Sequence, residues 1–358
     1  MVEFPGKEWK DYELLDSGRG EKLERFGQVV MCRPEPKALW DKSMSDAEWR
    51  RLEHFAFRLA SAEGKGGRRA DGGKIGSGAI EDRGTWERVK KADEQWYIRY
   101  GGASGSKEAG PKFSLRLGLT AFKHVGVFPE QAPNWEFIYQ QVQRLRAQNG
   151  AQNASRETTA PRVLNLFAYT GGASLAAKAA GADVTHLDSV RQVVTWARGN
   201  MEASGLDGIR WIVEDAMKFV QREARRGNLY DGIILDPPAY GHGPDGEKWK
   251  LDESLFGLLQ NVSKILKPKD SFMVLNLYSN GYSAALGETL VREAFALDSA
   301  GSGQVRLATA THQPAQKTSP DLPAAGAEED YRLTSGELAL NDRFGKVLPL
   351  SIYVRLER

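Results

Sequence analysis

Residues 162–174 read RVLNLFAYTGGAS, and their reading decides the fold. Arg162–Phe167 is a short apolar run of strand character that ends before two glycines, Gly171 and Gly172. A helical pattern follows over roughly Gly172–Ala180, and the same unit then recurs. Strands are expected at Asp183–Leu187, Ile209–Val213, Gly232–Leu235 and Ser271–Leu277. Helices are expected near Ser189–Ser204, Ala216–Arg226, Glu253–Leu266 and Ser283–Leu297. A strand that returns parallel to its predecessor needs a crossover of about a dozen residues, which a helix supplies. The alternation therefore predicts an α/β fold, a parallel sheet covered by helices on both faces.

The pattern changes on either side of this block. Val305–Thr311 and Leu348–Leu356 read as two more strands with only a polar segment rich in Pro, Ala and Glu between them. They are expected to close the sheet as an antiparallel hairpin, giving seven strands of which five run parallel. Upstream, Gln28–Arg33, Gln95–Tyr100 and Phe113–Gly118 are strand-like and are separated by Gly-rich, charged stretches. A helix over Asp46–Ala60, with Ser45 as N-cap, sits among them. Asn134–Arg146 looks helical and Ala147–Pro161 reads as a loop. The expectation is a smaller strand-rich accessory domain over residues 1–120 and a catalytic domain over 121–358.

Composition excludes several classes. Hydrophobic residues make up 41% and charged residues 27% of the 358, a globular mix. The net charge is only +2, but residues 1–155 carry 26 Lys and Arg against 22 acids, while 156–358 carry 23 against 25. The accessory part is the more positive one, as phosphate contact would require. A lone cysteine, Cys32, rules out an intrachain disulfide framework. The five histidines lie far apart, so no metal site is expected. The N-terminus is charged, and no apolar run approaches the ~20 residues that a membrane helix needs. No membrane partner and a cytoplasmic location are expected.

Doubly wound sheets bind ligands at the C-terminal ends of their strands. Gly171 and Gly172 permit close backbone approach there and open onto a helix N-terminus. Asp188 ends the second strand, where an acid can receive two ribose hydroxyls. Asp215 follows the third and can accept from an adenine amine. The fourth strand ends in Asp236-Pro237-Pro238-Ala239-Tyr240. Two prolines remove two donors and fix φ, which holds the preceding carbonyls in one direction. An Asp side chain and a rigid carbonyl could then accept both hydrogens of an exocyclic amine, with Tyr240 stacked on the base.

LNLFAYTGGAS, HLDSV, VEDAMKF and ILDPPAYG, in that order and spacing, resemble the motifs of class I S-adenosylmethionine-dependent methyltransferases. More narrowly, they resemble the bacterial ribosomal-RNA methyltransferases that carry a DPP motif with an aromatic two residues on. FKHVGVFPEQAPNW, residues 122–135, is similar to the element that precedes the catalytic domain in that family. The resemblance implies a Rossmann-like seven-stranded methyltransferase sheet with S-adenosyl-L-methionine as cofactor. It implies that Phe167, Tyr169, Thr170, Gly171 and Gly172 surround the methionine moiety, with Phe128 and Gln131 lying over the cofactor. Asp188 would hold the ribose and Asp215 the adenine amine. Asp236, Pro237 and Pro238 would face the transferred methyl, with Tyr240 beside the base.

One departure bears on the chemistry. Members that methylate carbon 5 of cytosine need a cysteine nucleophile, and the strand ending Asn276-Leu-Tyr-Ser279 has none. Direct transfer to a nitrogen needs no covalent intermediate and is the expected reaction, with RNA, and rRNA in particular, as substrate. Lys65, Arg68, Arg69 and Lys74 form one basic group, and Arg88, Lys90 and Lys91 a second beside Trp86. Lys248, Trp249 and Lys250, in a Gly-rich loop after the proline motif, are expected to close on substrate. A methyltransferase of small molecules or proteins, and an RNA-binding module that retains the cofactor fold, stay open as alternatives. A nicotinamide oxidoreductase does not, because the turn lacks G-x-G-x-x-G.

Overall fold

The computed structural model describes residues 1–7, 9–59, 83–101, 110–152, 159–278, 281–297 and 331–358. Its first part is built from β1 (Val2–Glu3), β2 (Tyr12–Gly18), β3 (Glu21–Phe26), β4 (Val29–Pro34), α1 (Asp46–Leu52), β5 (Phe55–Leu59), β6 (Gly84–Arg88), β7 (Gln95–Tyr100) and β8 (Phe113–Gly118). A 3₁₀ turn at Pro129–Gln131 leads into α2 (Ala132–Gln152). The alternating part runs β9 (Arg162–Leu166), α3 (Gly172–Ala179), β10 (Asp183–Asp188), α4 (Arg191–Ala203), β11 (Arg210–Val213), α5 (Ala216–Arg226) and β12 (Gly232–Leu235). It continues through β13 (Tyr240–His242), β14 (Lys248–Lys250), α6 (Leu251–Val262), β15 (Phe272–Leu277) and α7 (Ala284–Phe295) to β16 (Arg332–Asn341) and β17 (Val347–Glu357).

The large sheet has the order β1-β16-β17-β15-β12-β9-β10-β11. Strands β9, β10, β11, β12 and β15 pair in parallel, and β17 runs antiparallel between β15 and β16. This is the expected α/β, Rossmann-like arrangement, with a parallel core of five and a closing hairpin. It gains an eighth strand, because Val2–Glu3 pairs parallel with β16. The chain leaves β9 toward β10 and β11, then crosses back to β12 on the other side of β9. That reversal is a switch point, where a crevice opens beyond the strand ends.

Alternation along the central strands sends side chains to two cores. Val163, Phe272 and Val274 face one, together with Trp135, Ile138, Val142, Leu175 and Ala176 from α2 and α3. Leu164, Leu166, Met273, Leu275 and Leu277 face the other, with Phe219, Val220, Leu255, Leu259 and Val291 from α5, α6 and α7. The first core continues without a break into Leu14, Phe26, Met31, Ile98 and Leu115 of the strand-rich part. Each such side chain contributes about 1.5–3 kcal/mol on burial, so the two parts are joined by a shared core as well as by the chain. Polar contacts add to it. At the tip of the β16–β17 hairpin, Lys346 Nζ lies 2.8 Å from Asp16 Oδ1, and Arg343 pairs with Glu13 at 2.6 Å.

Several expectations need correction. The helix that begins after Ser45 stops at Leu52, where Glu53 turns extended at φ −65° and ψ 141°. Phe55, Ala56 and Phe57 are instead buried in β5, whose alternate aromatics suit a strand. Strands β2, β3 and β6 read as charged sequence but pair in one five-stranded sheet with β4 and β5. Glu24 there is buried and bonds Arg33 at 2.6 Å. Helix α2 runs on to Gln152, into the stretch expected to be loop. The closing strand expected at Val305–Thr311 lies outside the described residues, and β16 fills that place in the sheet.

Candidate active site

The turn after β9 is held in a conformation that its residues do not favour on their own. Phe167 and Tyr169 adopt left-handed backbone angles, φ 56° and φ 49°, which cost a non-glycine residue about 1–3 kcal/mol each. Surrounding bonds hold the turn. Tyr169 N donates to Asp188 Oδ2 at 2.9 Å, Thr170 Oγ1 to the Gly126 carbonyl at 2.7 Å, and Asn200 Nδ2 to the Thr170 carbonyl at 2.9 Å. Gly171 caps α3 at φ 93°. A Cβ on Gly172 would lie 2.9 Å from the Trp135 ring, so only glycine lets α2 pack this closely.

Two clefts meet at Phe167. The larger, with about 560 Å³ of open space, is walled by Phe128, Gln131, Tyr169, Thr170, Gly171 and Gly172 and reaches Asp236 and Asn276. The smaller, about 320 Å³, is lined by Asp188, Glu214, Asp215, Pro238, His242 and Trp249. Among the described residues no lysine or arginine lines either one. Acids and aromatic rings around two clefts that share Phe167 suit an elongated, positively charged ligand with a flat heterocycle. Asp188 is anchored through both oxygens, accepting from Tyr169 N and Val190 N at 2.9 Å each, and burial raises its pKa. Asp215 caps α5 by accepting from Lys218 N at 2.9 Å.

Asp236 stands where the strand register brings a polar pair together. Leu235 is paired with Leu275, so Asp236 and Asn276 follow side by side on the face that carries Ile234 and Val274. Asn276 Nδ2 donates to Asp236 Oδ1 at 2.7 Å. Burial, reinforced by the charge of Glu130, pushes the Asp236 pKa up to about 7 against the lowering effect of that bond. Asn276 is itself buried, and its Oδ1 has no hydrogen-bond partner. Asn276 belongs to none of the sequence motifs. Its signal was a single polar residue in the otherwise apolar run Phe272–Leu277.

The segment before α2 covers the larger cleft. The Phe128 ring lies 5.4 Å from Tyr169 and 5.1 Å from Tyr278. Gln131 donates to the Tyr278 hydroxyl at 3.1 Å and accepts from Asn134 Nδ2 at 2.9 Å. Asn134 in turn accepts from Arg355, which pairs with Glu3 at 2.8 Å. Asn134 is thus the middle of a chain of bonds from the cleft to β1. His124 packs on Phe128 at 5.1 Å.

Beyond Pro238 the chain forms the β13–β14 hairpin instead of an open loop. Trp249 is 5% exposed, packs against Phe167 in a tilted pair with ring centroids 5.0 Å apart, and donates from Nε1 to the Pro238 carbonyl at 2.7 Å. It is a wall of the smaller cleft, whereas an open stacking surface was expected; pairing of Gly241 with Trp249 turns the ring inward. Lys248 and Lys250 stay exposed, Lys250 bonding Glu253 at 2.7 Å. Tyr240, 39% exposed, bonds His242, a lining residue of the smaller cleft, at 3.0 Å and itself lines neither cleft. Pro237 is buried and lines neither cleft.

The basic groups are dispersed. Arg88 pairs with Glu94, Lys90 bonds the Arg51 carbonyl, and Trp86 is turned to the Thr120 carbonyl at 2.8 Å. Lys65, Arg68, Arg69 and Lys74 lie outside the described residues. Cys32 is buried, and burial drives its thiol pKa far up, which leaves it inert. Among the described residues no cluster of three or more metal-ligating side chains occurs, and no helix is long and apolar enough to cross a membrane.

Comparison with known proteins agrees with this geometry. Residues 141–301 match the family model described as S-adenosylmethionine-dependent methyltransferase. The ribosomal RNA large subunit methyltransferase K/L of Magnetococcus marinus is 31% identical over 160 residues, 43% of this chain and 20% of its own. The ribosomal RNA large subunit methyltransferase I of Aeromonas salmonicida is 36% identical over 99 residues, 27% of this chain and 25% of its own. The chain therefore spans a fifth to a quarter of the length of these curated relatives. The crystal structure of the SAM-dependent methyltransferase from Agrobacterium tumefaciens superposes with a TM-score of 0.73 and 33% identity, covering 100% of this chain and 93% of the other. With that likeness over almost the whole of both chains, and acids at the ends of β10, β11 and β12 around one crevice, the chain belongs to the S-adenosylmethionine-dependent methyltransferases.

Proposed function

We propose that this methyltransferase modifies RNA, ribosomal RNA in particular, at a nitrogen by direct transfer, as a cytoplasmic enzyme. One observation carries the reading: Asp236, partly exposed in the larger cleft, is an acid of raised pKa beside the junction where methyl donor and acceptor would meet. S-adenosylmethionine, the cofactor of this family, supplies an electrophilic methyl group on a sulfonium when bound. The residues present fit it. Among the described residues neither lining carries a lysine or arginine, which favours a cationic ligand, and the two clefts that share Phe167 divide by chemistry.

Asp188 and Asp215 would hold the ribose hydroxyls and the adenine amine in the smaller cleft, with Phe167 and Trp249 against the ring. Phe128, Gln131, Tyr169, Thr170, Gly171 and Gly172 would enclose the methionine end. Asp236, with Pro237 and Pro238 fixing its backbone, would align the acceptor nitrogen and take its proton. The exposed Tyr240 would stack on the base, and Lys248 and Lys250 would meet phosphates. Catalysis would then be mainly alignment, desolvation and proton acceptance. The relatives' names, which specify ribosomal RNA of the large subunit, support the substrate class.

The test is methyl incorporation from labelled cofactor into rRNA purified from a strain lacking this gene, followed by nucleoside mass spectrometry. An N-methylated nucleoside is expected. Label confined to small molecules or protein, or to a base carbon, would overturn the reading.

A further inference from the structure

An amino group has two hydrogens, and Asp236 Oδ1 already accepts from Asn276 Nδ2 at 2.7 Å, which leaves Oδ2 as the carboxylate oxygen without that bond. Within the motif the Pro238 carbonyl is also taken, by Trp249 Nε1 at 2.7 Å. One side chain beside Asp236 does have an acceptor to spare. Asn276 is 2% exposed, lines the same cleft, and its Oδ1 is buried with no hydrogen bond. An unsatisfied buried acceptor costs about 1–3 kcal/mol, so one at a cleft wall calls for a donor that arrives with the ligand. The amide orientation is set by its partner, since a carboxylate oxygen accepts only from Nδ2 and leaves Oδ1 for something else.

We propose that Asn276 is a specificity-determining residue of the acceptor site. Its Oδ1 and the second carboxylate oxygen of Asp236 together receive the two hydrogens of an amino group on a planar base. The inference rests on the reading that Asp236 faces the acceptor, and it narrows that reading from any nitrogen to an exocyclic amine. With both hydrogens engaged, the nitrogen lone pair is directed at the methyl carbon. As the nitrogen takes the methyl group, the carbon–sulfur electron pair stays with sulfur, and the extra proton passes to Asp236. Because Asp236 is partly exposed, that proton can leave to water. A ring nitrogen with no hydrogen, or a hydroxyl, cannot satisfy both acceptors. Such acceptors are rejected because one buried oxygen stays unpaired.

The experiment uses the full chain with rRNA from the deletion strain as probe. Turnover, S-adenosylhomocysteine affinity by calorimetry and the modified nucleoside are measured for wild type, Asn276→Leu, Asn276→Asp and Asp236→Asn. Asn276→Leu keeps the branched side-chain shape and removes both the acceptor and the bond to Asp236; turnover falls about 10²-fold while S-adenosylhomocysteine affinity stays within about twofold. Asn276→Asp keeps an acceptor oxygen and retains more turnover than the leucine variant. Its acidic limb moves to higher pH, because the bond that lowers the Asp236 pKa is lost and a second acid is added. The wild-type product carries its methyl on an exocyclic amine. Turnover of the leucine variant within threefold of wild type, equal loss of cofactor affinity, or a methyl on a ring nitrogen or oxygen overturns the proposal. If the leucine variant does not fold, the pH shift of Asn276→Asp and the product nucleoside decide. Unchanged turnover in Asp236→Asn would instead overturn the reading of the site itself.

Discussion

The two clefts on either side of Phe167 differ in how their polar groups are satisfied. In the smaller, Asp188 and Asp215 are already bonded to backbone N–H groups of neighbouring turns. Their geometry is set before any ligand arrives, which suits a site that holds. In the larger, Asp236 is pinned through one oxygen by Asn276, whose own oxygen has no partner. Its polarity is incomplete and its acid is held near neutrality at about 7. Pre-satisfied acids lower the cost of binding, and an unsatisfied pair with a raised pKa is a place for chemistry.

The contrast can be broken most sharply at Asp236. Asp236→Asn should lower turnover about 10³-fold while S-adenosylhomocysteine affinity, measured by calorimetry, changes less than about twofold. A matching loss of affinity would mean that the larger cleft only holds. A substitution at Gly172 should act through packing. Gly172→Ala places a methyl 2.9 Å from Trp135, and either α2 or the turn must shift. The expected cost is about 1–3 kcal/mol in chemical denaturation together with weaker cofactor binding. A variant as stable as wild type and binding as tightly would show that the packing adapts.

The pH profile sharpens the comparison further. If Asp236 must be ionised to take a proton, kcat/KM rises about tenfold per unit below about 7 and levels off above it. The limb should vanish in Asp236→Asn. Stability runs the opposite way. The carboxyl holds its proton more tightly folded than unfolded, so its contribution declines as pH rises from the ordinary carboxyl range to about 7. Thermal melts should therefore favour Asp236→Asn over wild type more at pH 8 than at pH 5. The smallest effect is expected at the wall of the smaller cleft. Trp249→Phe removes the bond to the Pro238 carbonyl, worth about 0.5–1.5 kcal/mol, and should slow turnover a few-fold at unchanged salt dependence of RNA binding. A marked change in salt slope would point instead to a Trp249 role in RNA contact.

Much of this molecule could be read from local pattern. β12 and α5 match the runs Gly232–Leu235 and Ala216–Arg226 residue for residue, because an apolar run and a capped amphipathic helix are local statements. Asp188 and Asp215 could be noticed because regular alternation locates strand ends. Asn276 could not, since its meaning depends on a partner 40 residues earlier and on the register of β12 with β15. Strands β2 and β3 were missed for a related reason. Glu24 reads as a surface residue until Arg33, on the neighbouring strand, bonds it in the interior. Trp249 misled in the other direction, because a hairpin pairing decides whether a tryptophan faces solvent or the cleft.

By itself, then, the amino-acid order determined the alternating units, the parallel sheet they require and the acids at its strand ends. Those follow from periodicity and backbone chemistry within a few residues. The tertiary structure decided that β1 joins the far edge of the sheet, that one core runs through both parts, and that Asn276 stands beside Asp236 with an acceptor unused. Each of these depends on which distant groups share a low-dielectric space, where a single hydrogen bond made or missing sets the charge and reach of its neighbour.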